Sequence, residues 1–266
     1  MIEYYTLYLP KSNREVKLEI SGPRYRNGIQ FDTFYLLDGQ NAFLDSHAAF
    51  GRSIRATKCL SIAAKEMGKR ILGVAIHNSG SDLGRVNEYS PFKIVNSPIE
   101  EWDKQDLNEC MNFCDDFINT IVPFIEKNYN TYKEKEHRFI YGSSLAAITA
   151  LYIGFKYKDM FKYIGAFSTA TFLFRDEFYK FLNKNKDKNK DVFIYVGKKE
   201  TSDDSYDENI YIDSAKELYE YLKNNNNRVR LSIDLNGIHD EETWGNHLFE
   251  FINFIYNDDI FISYSK

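Results

Sequence analysis

The sequence predicts an α/β protein, a three-layer sandwich in which a mostly parallel central sheet is covered by helices on both faces. Aliphatic and aromatic runs of strand length alternate along the chain with segments of helical periodicity. Strands that alternate with helices pair in parallel, because each helix carries the chain back across the sheet. The strand candidates are residues 31–37, 70–76, 139–141, 163–167, 192–196 and 229–234. The helix candidates are residues 53–68, 105–129, 176–185, 212–224 and 242–256, with one more directly after residue 144.

The other segments complete this prediction. Residues 4–9 and 16–21 are interpreted as two antiparallel strands that a turn-forming Pro-Lys-Ser-Asn sequence joins. Residues 77–91 are rich in glycine, serine and asparagine, so we predict a loop there. Pro123 is expected to kink or restart the long helix, because proline has no backbone N–H to donate. No internal repeat or linker divides the chain, so we predict a single domain over residues 1–266.

The composition limits the class of protein and its partners. The 266 residues are 43% hydrophobic and 27% charged, which is ordinary for a globular protein with a sizeable core. The net charge is -5 and no basic block is present, so nucleic acid is not an expected partner. No apolar run approaches the roughly 20 residues that span a bilayer, and the N-terminus lacks signal-peptide features. We therefore expect a cytoplasmic protein that does not contact membranes. The three cysteines, an odd and small number, do not indicate a disulfide framework. The sequence does not predict the oligomeric state.

Residues 137–152 carry the pattern from which the function is predicted. A β-favouring run, residues 139–141, is followed at once by Gly142-Ser143-Ser144 and then by an alanine-rich helical run. Strand, sharp turn and helix in this order are typical of a nucleophile elbow, which lifts the hydroxyl of its central serine above the sheet. The G-x-S-x-G pattern is present with Ala146 in place of its last glycine. Ser144 is therefore the candidate nucleophile, and a small-residue turn without catalytic function is the alternative.

A serine hydroxyl is a poor nucleophile near neutral pH, so it needs a base and an acid that orients the base. His239 follows a predicted strand and a glycine, in a loop from which an imidazole can reach over the sheet, and is the best candidate base. Glu200 follows another predicted strand and is the preferred acid. The order serine, acid, histidine is the order along α/β-hydrolase chains. Three other carboxylates of the same loop remain alternatives for the acid: Asp203, Asp204 and Asp207.

Further candidates lie in loops that follow strands, where open α/β sheets form their sites. The backbone N–H groups of Gln40 and Leu145 are the candidate oxyanion donors. The candidate substrate-binding side chains are Asn41, Arg85 and His77. For Arg85 the alternative is a salt bridge to Glu88 or to another acid. His247, within the last predicted helix, is interpreted as a surface or packing histidine.

The chain resembles the esterase D and enterochelin-esterase branch of the α/β-hydrolases, which also includes mycolyltransferases and feruloyl esterases. The resembling stretches run in the right order over most of the chain: residues 35–41, 87–91, 121–125, 128–129, 142–145, 196–197 with Glu200, and Gly237 with His239 and Trp244. The resemblance implies an α/β-hydrolase fold with the nucleophile at Ser144, the base at His239 and the acid at Glu200. It places the oxyanion donors at Gln40 and Leu145. The sequence departs from the family at Ala146, where glycine is usual, and the acid position varies within the branch.

We therefore expect a serine hydrolase that cleaves a small-molecule carboxylic ester through an acyl-enzyme. Neither a metal nor an organic cofactor is required by this chemistry. The resemblance suggests siderophore lactones, sugar-linked acyl esters or S-formylglutathione as substrates, and the sequence does not select among them. Two alternatives stay open: a non-catalytic binding module on the same fold, and an acyltransferase that uses the same machinery.

Overall fold

A computed structural model of the protein describes residues 1–22, 28–95, 99, 102, 104–200, 207 and 209–257. Within these residues the chain forms one eight-stranded sheet. The strands are β1 Ile2–Leu9, β2 Arg14–Ser21, β3 Asp32–Leu36, β4 Ile71–Ile76, β5 Arg138–Ser143, β6 Tyr163–Phe167, β7 Asp191–Gly197 and β8 Arg228–Asp234. The helices are α1 Ala56–Glu66, α2 Asp82–Tyr89, α3 Leu107–Asp116, α4 Val122–Asn128, α5 Leu145–Lys156, α6 Arg175–Lys184, α7 Ile210–Asn224 and α8 Glu241–Tyr256.

The strand order is β1-β2-β4-β3-β5-β6-β7-β8. The first two pairings, β1 with β2 and β2 with β4, are antiparallel, and every later pairing in the sheet is parallel. The carboxyl ends of β3 to β8 therefore meet at one edge of the sheet, which is where such folds build their sites. The predicted mostly parallel sheet is confirmed.

Two hydrophobic cores lie on opposite faces of the sheet. Side chains alternate between the faces of a strand, and in β3 Phe34 and Leu36 join one core whereas Tyr35 joins the other. Helices α1 and α8 cover the Phe34 face, and α3 to α7 cover the Tyr35 face. This arrangement is the predicted three-layer sandwich. None of the helices in the described part of the chain is long and apolar enough to cross a bilayer.

The prediction of a loop over residues 77–91 is wrong, because it contains helix α2. The side chain of Ser81 caps this helix by accepting a hydrogen bond from the N–H of Gly84 at 3.1 Å. Val86 and Tyr89 bury one side of the helix against the core. The helix is short and contains a glycine, so its local signal is weak and tertiary packing stabilises it.

The predicted interruption near Pro123 is present as a π-helical turn at Phe117–Ile121 between α3 and α4. Pro123 lies in the first turn of α4, directly after this π-helical turn.

Candidate active site

Ser144 lies at the sharp turn between β5 and α5. Its backbone has φ 58° and ψ −125°, a conformation that residues with a side chain rarely adopt. The turn is possible because Gly142 has no side chain: a Cβ there would lie 2.1 Å from the carbonyl oxygen of Ala146. The N–H of Ser144 donates to the carbonyl of Phe167 at the end of β6, at 2.9 Å, which ties the turn to the neighbouring strand. The half-buried serine therefore has the backbone geometry of a nucleophile elbow.

Ala146 is accommodated in this turn. The close approach is made by Gly142 to the main chain of Ala146, and the methyl group of Ala146 is fully buried in the core. The departure from glycine at this position therefore leaves the elbow geometry in place.

Replacing Ala146 with glycine is expected to lower the free energy of unfolding by about 1 to 2 kcal/mol, because the helix loses a strong former and the core a methyl group. Activity should be unchanged, since the elbow already has its strained turn. Urea denaturation and p-nitrophenyl acetate kinetics measure the two effects. A large gain in kcat in the glycine variant would contradict this and would mean that the methyl group distorts the elbow.

Glu200 and His239 are in contact. The Oε2 atom of Glu200 lies 3.2 Å from Nδ1 of His239. Glu200 is 3% exposed, and its Oε1 atom accepts hydrogen bonds from the N–H of Gly197 at 2.6 Å and from the hydroxyl of Ser168 at 2.5 Å. A carboxylate only accepts, so the proton of a neutral His239 lies on Nδ1 and leaves Nε2 as an acceptor. The side chain of His239 is 22% exposed, so a substrate can reach it.

The Glu200 loop contains the three alternative acids, Asp203, Asp204 and Asp207. Asp207 lies just before α7, and its side chain accepts a hydrogen bond from the N–H of Asn209 at 2.8 Å. Asp203 and Asp204 lie outside the described residues. Among the described carboxylates, Glu200 is the one that contacts the ring of His239 through Nδ1.

The two candidate oxyanion donors lie at the same edge of the sheet. Gln40 is in a single 3-10 turn, Gly39–Asn41, which a two-residue connection joins to the end of β3. That turn packs against β4 so closely that a Cβ on Gly39 would lie 2.3 Å from the backbone nitrogen of Ile76. Leu145 is the first residue of α5, so its N–H has no acceptor within the helix. Both amides are therefore held by rigid backbone.

Along the carboxyl edge of the sheet these residues follow the strand order. Gln40 follows β3, Ser144 follows β5, Glu200 follows β7 and His239 follows β8. The structure joins Glu200 to His239 by a direct contact. Strand β6 lies between the strand of the serine and the strand of the acid.

The side chains of Asn41 and Arg85, predicted to bind substrate, already have partners within the protein. Asn41 is buried and donates to Oε1 of Glu241 at 2.7 Å, so it links the Gln40 turn to the start of α8. Arg85 forms a bidentate salt bridge with Asp38, and the shortest distance, 2.6 Å, joins its Nη2 atom to Oδ2 of Asp38. Burial works to lower the pKa of Arg85, but the Asp38 carboxylate outweighs it and raises that pKa. The acid that Arg85 pairs with is therefore Asp38.

His77, the third predicted substrate-binding residue, lines an open cleft of about 680 Å³ that reaches Gln40. Its Nε2 atom and Nδ1 of His47 lie 3.0 and 2.8 Å from the same oxygen of the buried Glu19. Burial works to raise the pKa of Glu19, but the two imidazoles outweigh it and lower that pKa. Residues of the β1–β2 hairpin, with Tyr4 and Lys17 among them, complete the wall.

His247 is a structural residue, held between two carboxylates. Its Nε2 atom lies 3.1 Å from Asp234 and its Nδ1 atom 2.6 Å from Glu250, and its ring stacks on Tyr195 at 4.5 Å. Burial works to lower the pKa of His247, but the two carboxylates outweigh it and raise that pKa.

This raised pKa predicts a pH-dependent contribution of His247 to stability. The contribution is fully present below the unfolded pKa of about 6.5 and is lost as pH rises through the higher folded pKa. His247→Gln should therefore lower the free energy of unfolding by about 1 kcal/mol at about pH 5.5, and by clearly less at about pH 9. Urea denaturation of both proteins at the two pH values is the measurement. An equal loss at both values would show that the proton on His247 does not contribute.

Two residues of this region, Ser168 and Glu241, do not appear in the sequence analysis, and Trp244 appears there only as part of the family resemblance, without a role. Ser168 and Trp244 connect to Glu200 and His239, and Glu241 bonds to Asn41. Burial raises the pKa of Glu241, and the nearby Asp38 adds to that shift. Ser168 directly follows a predicted strand, and the candidate catalytic residues also lie in the segments after predicted strands. That position was the signal available for Ser168.

The sheet order, the strained turn at Ser144 and the placement of the polar loops define an α/β-hydrolase fold. The family described as "Putative esterase" matches residues 10–255, and the chain belongs to that family. Membership supports ester hydrolysis as the class of reaction.

Similar proteins include one relative found by sequence and two solved structures that share this fold. The protein YbbA of Bacillus subtilis (strain 168), described as uncharacterized, is 21% identical over 238 residues, which are 88% of this chain and 85% of YbbA. The IroE-like serine hydrolase from Shewanella oneidensis has a TM-score of 0.75 and 17% identity, over 100% of this chain and 83% of that one. The siderophore hydrolase EstA from Aspergillus nidulans has a TM-score of 0.73 and 15% identity, over 96% of this chain and 95% of that one.

Proposed function

We propose that the protein is a serine esterase that hydrolyses a carboxylic ester through an acyl-enzyme. Ser144 attacks the ester carbonyl while Nε2 of His239 accepts the hydroxyl proton, and Glu200 holds the ring of His239 and stabilises its positive charge. The backbone N–H groups of Gln40 and Leu145 stabilise the oxyanion of the tetrahedral intermediate. His239 then gives the proton to the leaving alcohol, and water releases the acid by the same steps in reverse order.

The observation that carries this proposal is the contact of Glu200 with Nδ1 of His239, at the edge of the sheet where the strained Ser144 follows β5. A buried carboxylate on Nδ1 orients the ring and leaves Nε2 to act as a base. The strained backbone of Ser144 supports the assignment, because such strain persists where surrounding structure enforces it and is concentrated at functional sites.

The cleft beside Gln40 supports a proposal for where the substrate lies. An ester whose carbonyl oxygen meets the amide of Gln40 can extend one of its two arms into this volume of about 680 Å³. The wall offers two imidazoles, a carboxylate and a lysine, so we propose that this arm is polar and able to form hydrogen bonds.

Covalent labelling tests the proposal. The protein is treated with a fluorophosphonate probe, and the mass of the intact chain and of its peptides is measured. We expect one adduct, on Ser144, which disappears in Ser144→Ala and persists in Ser143→Ala. Labelling that survives in Ser144→Ala would exclude Ser144 as the nucleophile, and a protein that neither labels nor cleaves p-nitrophenyl acetate would be a binding module.

If the acyl-enzyme passes its acyl group to an added alcohol or sugar in preference to water, the protein is an acyltransferase. Product analysis by mass spectrometry, with and without the acceptor, distinguishes this outcome from hydrolysis.

A further inference from the structure

We propose that Ser168 and Trp244 are positioning residues that hold the carboxylate of Glu200 in place for His239, an inference that rests on the function proposed above. The hydroxyl of Ser168 bonds Oε1 of Glu200 at 2.5 Å, and Nε1 of Trp244 bonds the oxygen of Ser168 at 2.8 Å. In this scheme neither residue exchanges a proton with the substrate or forms a bond to it. Ser168 acts through Glu200, and Trp244 acts through Ser168 and by packing against the ring of His239.

The direction of these hydrogen bonds follows from the groups themselves. An indole N–H is only a donor, so the oxygen of Ser168 must accept from Trp244. The single proton of that hydroxyl is then available to Glu200, whose carboxylate only accepts. Trp244 therefore selects the one orientation of the Ser168 hydroxyl in which it donates to the acid.

Glu200, His239, Trp244 and Ser168 form a closed circuit of contacts, in which each side chain touches the next. Glu200 contacts Nδ1 of His239, and the ring of His239 packs against the indole of Trp244 with centroids 4.9 Å apart and planes at 83°. Trp244 returns through Ser168 to Glu200. Trp244 thus positions the acid indirectly, through its hydrogen bond to Ser168, and positions the base directly, by packing against the ring of His239. The acid and the base are therefore oriented together.

Rigid backbone holds both positioning residues. Ser168 follows β6 directly, is fully buried and has φ 50°, and its N–H donates to the carbonyl of Tyr195 in β7 at 2.7 Å. Trp244 lies in the first turn of α8, which Asp240 caps with a hydrogen bond to the N–H of Thr243 at 2.8 Å. The carboxylate of Glu200 is therefore held by the ends of two strands and a helix.

The first measurement is the kinetics of Ser168→Ala with p-nitrophenyl acetate. Loss of a hydrogen bond to a charged group should lower kcat by about tenfold while KM stays unchanged, because the acid is less well held and the substrate is not touched. The matched control is Thr169→Val, which removes the hydroxyl of the next residue, also fully buried and without a hydrogen-bond partner among the described residues. The control should keep wild-type kcat.

A double-mutant cycle separates positioning from a general structural effect. In a Glu200→Ala background, Ser168→Ala should cause no further loss of kcat, because the carboxylate that Ser168 positions is already absent. A loss by the same factor in both backgrounds, or wild-type kcat in Ser168→Ala alone, would overturn the inference. If Glu200→Ala itself keeps wild-type kcat, the acid assignment in the proposed function fails, and that result is distinct from an inactive Glu200→Ala beside an active Ser168→Ala.

Trp244→Phe tests whether Trp244 acts through its hydrogen bond to Ser168. Phenylalanine keeps an aromatic ring beside His239 but has no N–H, so kcat should fall by less than about tenfold, and not at all when Ser168 is already alanine. Trp102, the other tryptophan of the chain, is partly buried against the core on the Tyr35 face of the sheet, so Trp102→Phe is the matched control and should keep wild-type kcat. Fully additive losses in Ser168→Ala/Trp244→Phe would show that Trp244 does not act through Ser168. Thermal unfolding of every variant identifies the temperature range in which all of them are folded.

Discussion

Replacing Ser144 with alanine is expected to lower kcat for p-nitrophenyl acetate by about 10⁴-fold or more, because loss of a triad nucleophile removes the covalent pathway and leaves only the oxyanion donors. The substitution removes one oxygen from a half-buried side chain and keeps its Cβ, so the strained turn retains its φ of 58° and the fold is kept. Steady-state kinetics with ester, together with thermal unfolding, measure the two effects.

Ser143→Ala is the control for this variant. Ser143 is the last residue of β5 and pairs with Phe167, so it has the same residue type and the same strand end but does not occupy the turn. We expect full activity in Ser143→Ala. Equal losses in the two variants would contradict the assignment of the nucleophile, since a general disturbance of the strand end would then explain both.

Replacing His239 with alanine is expected to lower kcat by a similar factor, about 10⁴-fold or more, because a serine without its base stays protonated at neutral pH. Its Nδ1 contact with Glu200 would also be lost. Kinetics above pH 9 add a diagnostic measurement: hydroxide can then remove the serine proton, so the activity of the variant should rise with pH more steeply than that of the wild type.

His247→Gln is the matched histidine control. His247 lies between Asp234 and Glu250 rather than beside Glu200, so its loss should change stability but leave kcat unchanged at a temperature where the protein is folded. An inactive His247→Gln together with an active His239→Ala would assign the base to His247 and would contradict the proposed mechanism.

The strand, sharp turn and helix around Ser144 could be predicted because their signal is local. A short β-favouring run, three small residues and an alanine-rich run specify strand, turn and helix within 16 positions, residues 137–152. The alternation of strands and helices likewise reports local periodicity, so the mostly parallel sheet followed from it. Glu200 and His239, which the order of polar loops along the chain indicated as a pair, are in contact, and their roles as acid and base stay predictions.

The sequence could not predict which charged and polar side chains pair with one another in the folded protein. Arg85 pairs with Asp38, whereas Glu88, its neighbour in sequence, pairs with Arg14. Asn41 finds Glu241 across 200 positions of chain. These choices depend on side chains that meet only after the sheet has formed, and no local pattern distinguishes one buried carboxylate from another.

Because β8 lies at the margin of the sheet, we expect the His239 loop and the Ser144 turn to differ in thermal stability. Within the described residues β8 pairs with β7 alone and is half-buried, whereas β5 has a strand on each side and is fully buried. Marginal strands open at lower cost than central ones. Warming should therefore detach the His239 loop while the Ser144 turn is still formed, so that the enzyme becomes reversibly inactive at a temperature below its melting point.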